Sequence, residues 1–193
     1  MKVLFEKDFK TSSWAGGATK ELFIYPEGSD YSSRNFDFRL SSARVLQEES
    51  VFTALPGFYR YLMVLDGALI IRHKGVGVKH LSQFETHAFD GGWATTSQGQ
   101  CMDFNLMVNP LCEGSLNAIH LEKGNNFQID LTVAGSWLFV FVLNGEVRLF
   151  NHKEKYLLPT GSLVVIRHED HGVDHIEAIN PCNLVLVKVF RKN

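Results

Sequence analysis

Arg39 and Ser41 stand two residues apart in Phe38-Arg39-Leu40-Ser41, as do Asp103 and Asn105 in Asp103-Phe104-Asn105. Side chains alternate along an extended strand, so each pair shares one face. Arg60 falls in a third apolar stretch, on the same face as Leu62 and Val64. An arginine beside two aliphatics marks either the wet end of a strand or an interior in which the charge has a partner, because an unpaired buried charge is strongly unfavourable. A guanidinium is a rigid fork of donors that grips a carboxylate by two parallel bonds. A serine hydroxyl and an asparagine amide donate and accept around it, and Asp103 could orient a guanidinium or receive a ligand N–H. The chemistry this set predicts is binding of a small acid that carries carboxylates and an amide. Thr19 and Glu21 follow the Gly16-Gly17 turn and join the candidates, Thr19 either as a ligand donor or as a brace for the turn. Plainer roles stay open. Arg39 could be solvated while Phe36, Phe38 and Leu40 form the core face, and Asp103 and Asn105 could cap strand ends or pair with Arg60. Trp14 reads as a packing anchor.

The elements that must position these residues are strands. Most apolar stretches are short, rich in Val, Ile and Phe, and punctuated by Gly, Asn and Asp, with little helical period. Two of them echo each other. Tyr61–Leu65, Asp66-Gly67 and Ala68–Ile71 correspond to Phe139–Leu143, Asn144-Gly145 and Glu146–Leu149. Both read as strand, D-G or N-G turn, strand, which predicts a hairpin in each half. Leu157–Ile166, with its Pro159-Thr160-Gly161 turn, and Leu184–Val189 complete the second half. The pattern predicts an all-β chain built as a double cupin, two small antiparallel barrels or jelly rolls packed together. The interruption at Pro110 and Gly114 sets the join near 110–118. Residues 1–113 are the expected ligand-carrying barrel and residues 114–193 a structural one. Leu138–Leu143 is unbroken apolar, as in a strand covered on both faces.

Hydrophobic residues at 45% supply a core, and charged residues at 21% with a net charge of −2 leave no basic surface for nucleic acid. The three cysteines, Cys101, Cys112 and Cys182, form neither C-x-x-C nor an even set, which argues against a disulfide framework or a cysteine zinc site. The charged start Met1-Lys2-Val3-Leu4-Phe5-Glu6-Lys7-Asp8 is unlike a signal peptide, and no stretch is long and apolar enough to cross a membrane. A cytoplasmic location is expected. Exposed strand edges would allow a homodimer.

Four segments, in order between residues 14 and 107, resemble the HutD/Ves family. They are Trp14-Ala15-Gly16-Gly17-Ala18-Thr19-Lys20-Glu21, Phe38-Arg39-Leu40-Ser41-Ser42-Ala43, Phe52-Thr53-Ala54-Leu55-Pro56-Gly57-Phe58-Tyr59-Arg60 and Asp103-Phe104-Asn105-Leu106-Met107. Phe89-Asp90-Gly91 resembles a fifth region. The first segment departs from the family's W-[KR]-N-G-G-G-x-T by being shorter and lacking the asparagine. The resemblance implies a metal-free double cupin associated with histidine utilisation, one that senses or buffers a small pathway acid such as formylglutamate or urocanate. It implies no enzyme activity and no cofactor.

Metal and catalytic motifs are weak. The H-x-H of metal-binding cupins is absent, and the later ligand position falls on Val164 or Val165. The imidazoles of His168, His171 and His175 could together bind zinc, although their polar segment reads more readily as an exposed loop. His73, His80 and His87 are seven apart, a spacing not expected to bring them together in β structure. No G-x-S-x-G occurs, which leaves a Glu21/Asp103 acid–base pair as the one conceivable catalytic set. The competing functions are therefore a small-molecule-binding regulator, a cupin isomerase or hydrolase acting on a small acidic metabolite, and an interaction module with a vestigial pocket.

Overall fold

The computed structural model describes residues 1–131, 133–152, 154–170 and 172–192. Among them the chain forms nineteen strands and one 3-10 turn at Glu6–Asp8. The strands are β1 (Lys2–Leu4), β2 (Lys10–Trp14), β3 (Gly17–Tyr25), β4 (Phe38–Val45), β5 (Glu49–Val51), β6 (Tyr59–Gly67), β7 (Leu69–His73), β8 (Gly77–Leu81), β9 (Thr86–Asp90) and β10 (Thr95–Gln98). They continue as β11 (Cys101–Val108), β12 (Cys112–Leu121), β13 (Asn126–Gln128), β14 (Ser136–Asn144), β15 (Glu146–Asn151), β16 (Glu154–Pro159), β17 (Leu163–Arg167), β18 (Val173–Ala178) and β19 (Cys182–Arg191).

The chain divides into two compact units, Phe9–Leu116, and Met1–Asp8 with Asn117–Asn193. The first holds a six-stranded sheet, β2-β3-β4-β11-β6-β9, and a four-stranded sheet, β5-β10-β7-β8. The second holds a five-stranded sheet, β1-β17-β14-β19-β12, and a four-stranded sheet, β13-β18-β15-β16. Each series β4 to β11 and β12 to β19 runs through the same pairings, so the echo in the sequence is a repeated jelly roll of the cupin type. The N-terminal strand does not follow the division expected at residue 113. β1 pairs with β17, Val3 opposite Val164, and extends a sheet of the second unit. A three-residue strand carries too little pattern to name its partner.

The D-G and N-G signals do not make hairpins. β6 pairs with β9 and β11, while β7 pairs with β8 and β10. The second half repeats this: β14 pairs with β17 and β19, and β15 with β16 and β18. Gly67 and Gly145 are therefore corners at which the chain leaves one sheet and enters the other. Both have positive φ, 83° and 79°. A Cβ on Gly67 would lie 2.6 Å from the Gln100 carbonyl oxygen, and one on Gly145 2.5 Å from Cys182 Cβ. Glycine is required by the close approach of a neighbouring chain segment as well as by the backbone turn.

The interior of the second unit is hydrocarbon. Leu138, Val140 and Val142 of β14 pack with Val147, Leu149, Val164 and Ile176, all at most 1% exposed. Both faces of β14 are covered from Ser136 to Val142, as its unbroken apolar run predicts. The interior of the first unit is divided. One apolar cluster contains Val45, Leu62, Val64, Ile71 and Phe89, and a second contains Phe36, Leu55, Phe58 and Met107. Arg39, Arg60, Asp103 and Asn105 are buried in the same unit. Leu138→Ala should lower stability by about 2–5 kcal/mol, the usual cost of such a cavity. It would be read as a lower urea midpoint at unchanged slope.

Candidate functional site

Register on the six-stranded sheet assembles the polar residues. Along β4 and β11, Ala43 faces Asp103, Ser41 faces Asn105 and Arg39 faces Met107. Along β11 and β6, Asn105 faces Leu62 and Met107 faces Arg60. Thr19 and Glu21 of β3 lie opposite Ala43 and Ser41. Directly opposed residues project to the same side of a sheet, so four strands present these side chains to one face. That face lines a cavity of about 390 Å³ bounded by Arg39, Ser41, Arg60, Asp103, Asn105 and Thr19, among others. The aliphatic neighbours of Arg60 thus mark an interior with partners, and Arg39 is buried at 6% exposure instead of solvated. The opposite face of β4 is also closed, with Phe38 and Leu40 at 0%.

The two guanidiniums are held differently. Arg39 Nε donates to Glu21 Oε2 at 2.7 Å and Nη1 to Ser41 Oγ at 3.1 Å, with its charge 4.5 Å from the centre of the Tyr31 ring. Arg60 lies over aromatic rings, 4.8 Å from the centre of Phe52 and 5.5 Å from that of Phe89. Its Nε is buried without a hydrogen-bond partner, and so is Asn105 Oδ1. Buried polar atoms are paired in the great majority of cases, so each exception requires an explanation. Both residues line the same cavity.

Burial controls the ionisation here. Desolvation lowers Arg60 to about 10, against the opposing pull of Tyr31 and Asp103, and Arg39 lowers it further. Desolvation raises the Asp103 carboxyl to about 7, while the Arg60 charge and a backbone hydrogen bond from Ala43 act in the other direction. Burial with nearby Asp103 and Asp66 pushes the Cys101 thiol up to about 12, which leaves it inert as a nucleophile.

Trp14 is not a buried anchor. It is 39% exposed, lines the mouth of the cavity, and donates from Nε1 to Thr19 Oγ1 at 3.2 Å. Thr19 therefore braces Trp14, and Glu21 is engaged by Arg39. Glu21 is not among the residues that line the cavity with Asp103.

The model of the HutD family matches residues 6–183. The chain belongs to the HutD family. Its fold is similar to a conserved protein of unknown function, PA5104 of Pseudomonas aeruginosa PAO1, at 21% identity, TM-score 0.79, covering 100% of this chain and 99% of that one. HutD from Pseudomonas fluorescens SBW25 matches at 20% identity, TM-score 0.73 and coverage of 100% and 99%. The Escherichia coli pirin YhhW, solved with nickel(II), matches at 10% identity, TM-score 0.75 and the same coverage. No curated protein matches. At these identities the likeness is one of fold, the cupin fold.

The pirin was solved with nickel(II), whereas the charged side chains lining the cavity of this chain are Arg39, Arg60 and Asp103. Among the described residues no group of three or more His, Cys, Asp or Glu side chains could hold a metal ion. His171 lies outside the described residues. His168 donates its backbone N–H to the Ser136 carbonyl, whereas His175 stacks on Phe150, 4.3 Å between ring centres.

Two of the three evenly spaced histidines do meet, contrary to the expectation from spacing. His73 of β7 and His87 of β9 approach with Nε2 atoms 2.9 Å apart, while His80 is exposed. They sit on different sheets of the unit, a pairing that spacing along one strand cannot reveal. Thr95 Oγ1 donates to the Trp93 carbonyl, so His73 Nδ1 must donate to Thr95 Oγ1 at 2.8 Å. His73 Nε2 then accepts from His87 Nε2–H. Burial lowers both imidazoles, and His87 is lowered further by His73 and Lys79.

Asp103 makes stability depend on pH. Its folded value, about 7, lies above its ordinary 3.8. Between these values the folded chain holds a proton that the unfolded chain does not. The stabilisation from this proton is complete at low pH and is lost as pH rises through about 7. Asp103→Asn should remove this component. Thermal unfolding from pH 5 to 8 should show the native chain losing stability relative to the variant.

Proposed function

We propose that this HutD-family chain is a non-catalytic binding protein that senses or buffers a small carboxylate metabolite of histidine degradation, of the formylglutamate or urocanate kind. The observation that carries the reading is that one cavity is lined by two buried residues, Arg60 and Asn105, each with a polar atom that lacks a partner, Nε and Oδ1. A guest with a carboxylate would accept from Arg60, and an N–H on the same guest would donate to Asn105. The volume, about 390 Å³, suits a metabolite and far exceeds the roughly 30 Å³ of one water. Arg39 is already fixed by Glu21 and Ser41, so the site is preorganised and little side-chain freedom is lost on binding.

A second reading, a cupin isomerase or hydrolase acting on a small acidic metabolite, is favoured by one observation. The Asp103 carboxyl, held near 7, would suit proton transfer at neutral pH. Against it, Glu21 is held by Arg39 at 2.7 Å and does not line the cavity that Asp103 lines.

A thermal-shift screen of histidine-pathway acids should raise the unfolding temperature for one or a few of them, because binding to the folded state stabilises it by mass action. Arg60→Glu and the milder Arg60→Gln should each weaken that binding on the order of a hundredfold or more by calorimetry. Unchanged affinity in both variants would remove the cavity from consideration. Unaltered guest recovered after long incubation supports a binding protein, and a turnover product supports the enzyme.

A further inference from the structure

The charges around the cavity sum to zero. Arg39 is paired with Glu21 at 2.7 Å, whereas Arg60 and Asp103 line the same cavity from β6 and β11 and act on each other through space, with no direct ion pair. Both arginines and Asp103 are at most 7% exposed, so water screens them little. An anion that enters and takes the Arg60 fork offsets the positive charge that acts on Asp103 and places a negative charge in the cavity that Asp103 lines. The cavity would then hold two negative groups against one available guanidinium. A buried carboxylate facing another anion resolves this by taking up a proton.

Resting on the binding function proposed above, we infer that the guest anion and one proton enter the cavity together, with the Asp103 carboxyl as the group that takes the proton. The protonated carboxyl gains an O–H donor, which can serve a second oxygen of the guest where the ionised form would repel it. The binding protein then reads pH and metabolite concentration jointly, and acidification fills the site at a fixed metabolite level.

The surrounding groups leave Asp103 as the acceptor. From β3, Glu21 is held by Arg39 of β4. From β6 comes Arg60, which stays charged, since even its lowered value is about 10. Tyr31, between β3 and β4, also lines the cavity. On β11 itself the Cys101 thiol lies up at about 12 and cannot be the acceptor near neutrality. Among the described residues no histidine lines the cavity. Asp103 is already at about 7 without a guest, so an incoming anion lifts it through the physiological range.

The test is calorimetry with N-formyl-L-glutamate, whose carboxyls are ionised throughout, at pH 6 to 9 in paired buffers of different ionisation enthalpy. Expected for the native chain is uptake of close to one proton per guest at pH 8. Its affinity should fall about tenfold per pH unit above roughly 7. Asp103→Asn should show the same enthalpy in both buffers and a flat pH profile. Binding by the native chain with no buffer dependence and a flat profile would overturn the inference while leaving the binding function intact. Proton uptake that persists in Asp103→Asn would assign the proton elsewhere and overturn it as well. Failure of the native chain to bind any acid of the screen at any pH would sink the binding function, and this inference with it. Should Asp103→Asn not fold, carbon NMR of the Asp103 carboxyl in guest-saturated native protein decides. A protonated carboxyl at pH 8 supports the coupling and an ionised one refutes it.

Discussion

A guanidinium buried in a sheet interior without a full set of acceptors is the constraint around which the first unit is arranged. Arg60 projects from β6 between aliphatic and aromatic side chains, over Phe52 and Phe89, and its Nε has no partner. Such a group is unfavourable in a hydrocarbon core, and the neighbouring strands mitigate the cost. Aromatic faces cover the charge, Asp103 opposes it from β11, and a cavity adjoins it in place of packed side chains. Each of these features would be a defect in a purely structural barrel. Together they leave a buried charge beside an open polar space, the kind of local exception that concentrates at functional positions in proteins generally.

The second unit is built on the same strand pairings without that burden. Its corresponding strand β14 is apolar on both faces, and its interior is a continuous cluster from Leu138 to Leu186. The contrast separates scaffold from site. The jelly roll needs only corners, such as Gly67 and Gly145, and alternation along each strand. What it encloses is set by the few residues on the inner face of one sheet. One repeat spends that face on packing, whereas the other leaves a polar space between two apolar clusters. In this chain a hydrocarbon-filled repeat thus accompanies a repeat with a polar cavity.

Much of this was legible in the sequence because it depends on local rules. Period-two alternation groups Arg39 with Ser41 and Asp103 with Asn105, and the register of three strands later joins them. The apolar run at Leu138–Leu143 foretells a covered strand. Errors arose where a local signal has two tertiary outcomes. Asp66-Gly67 and Asn144-Gly145 are favourable for a tight hairpin, yet the flanking strands find other partners and the glycines serve at sheet-to-sheet corners. Trp14 looked like an anchor because large aromatics usually are buried, yet its indole stands at the cavity mouth, tethered to Thr19. His73 and His87 looked too far apart along the chain, and they meet because β7 and β9 belong to facing sheets.

The sequence by itself determined that the chain is all-β, that it contains two copies of one unit, and which side chains share each strand face, since these follow from alternation, turn chemistry and repetition within short windows. Only the tertiary structure decided which strands neighbour which, and hence that Arg39 is locked by Glu21, that Arg60 Nε and Asn105 Oδ1 lack partners, and that the Asp103 carboxyl is lifted toward neutrality. Those properties depend on distances between residues far apart in the chain and on the exclusion of water, and both come into existence only when the sheets close.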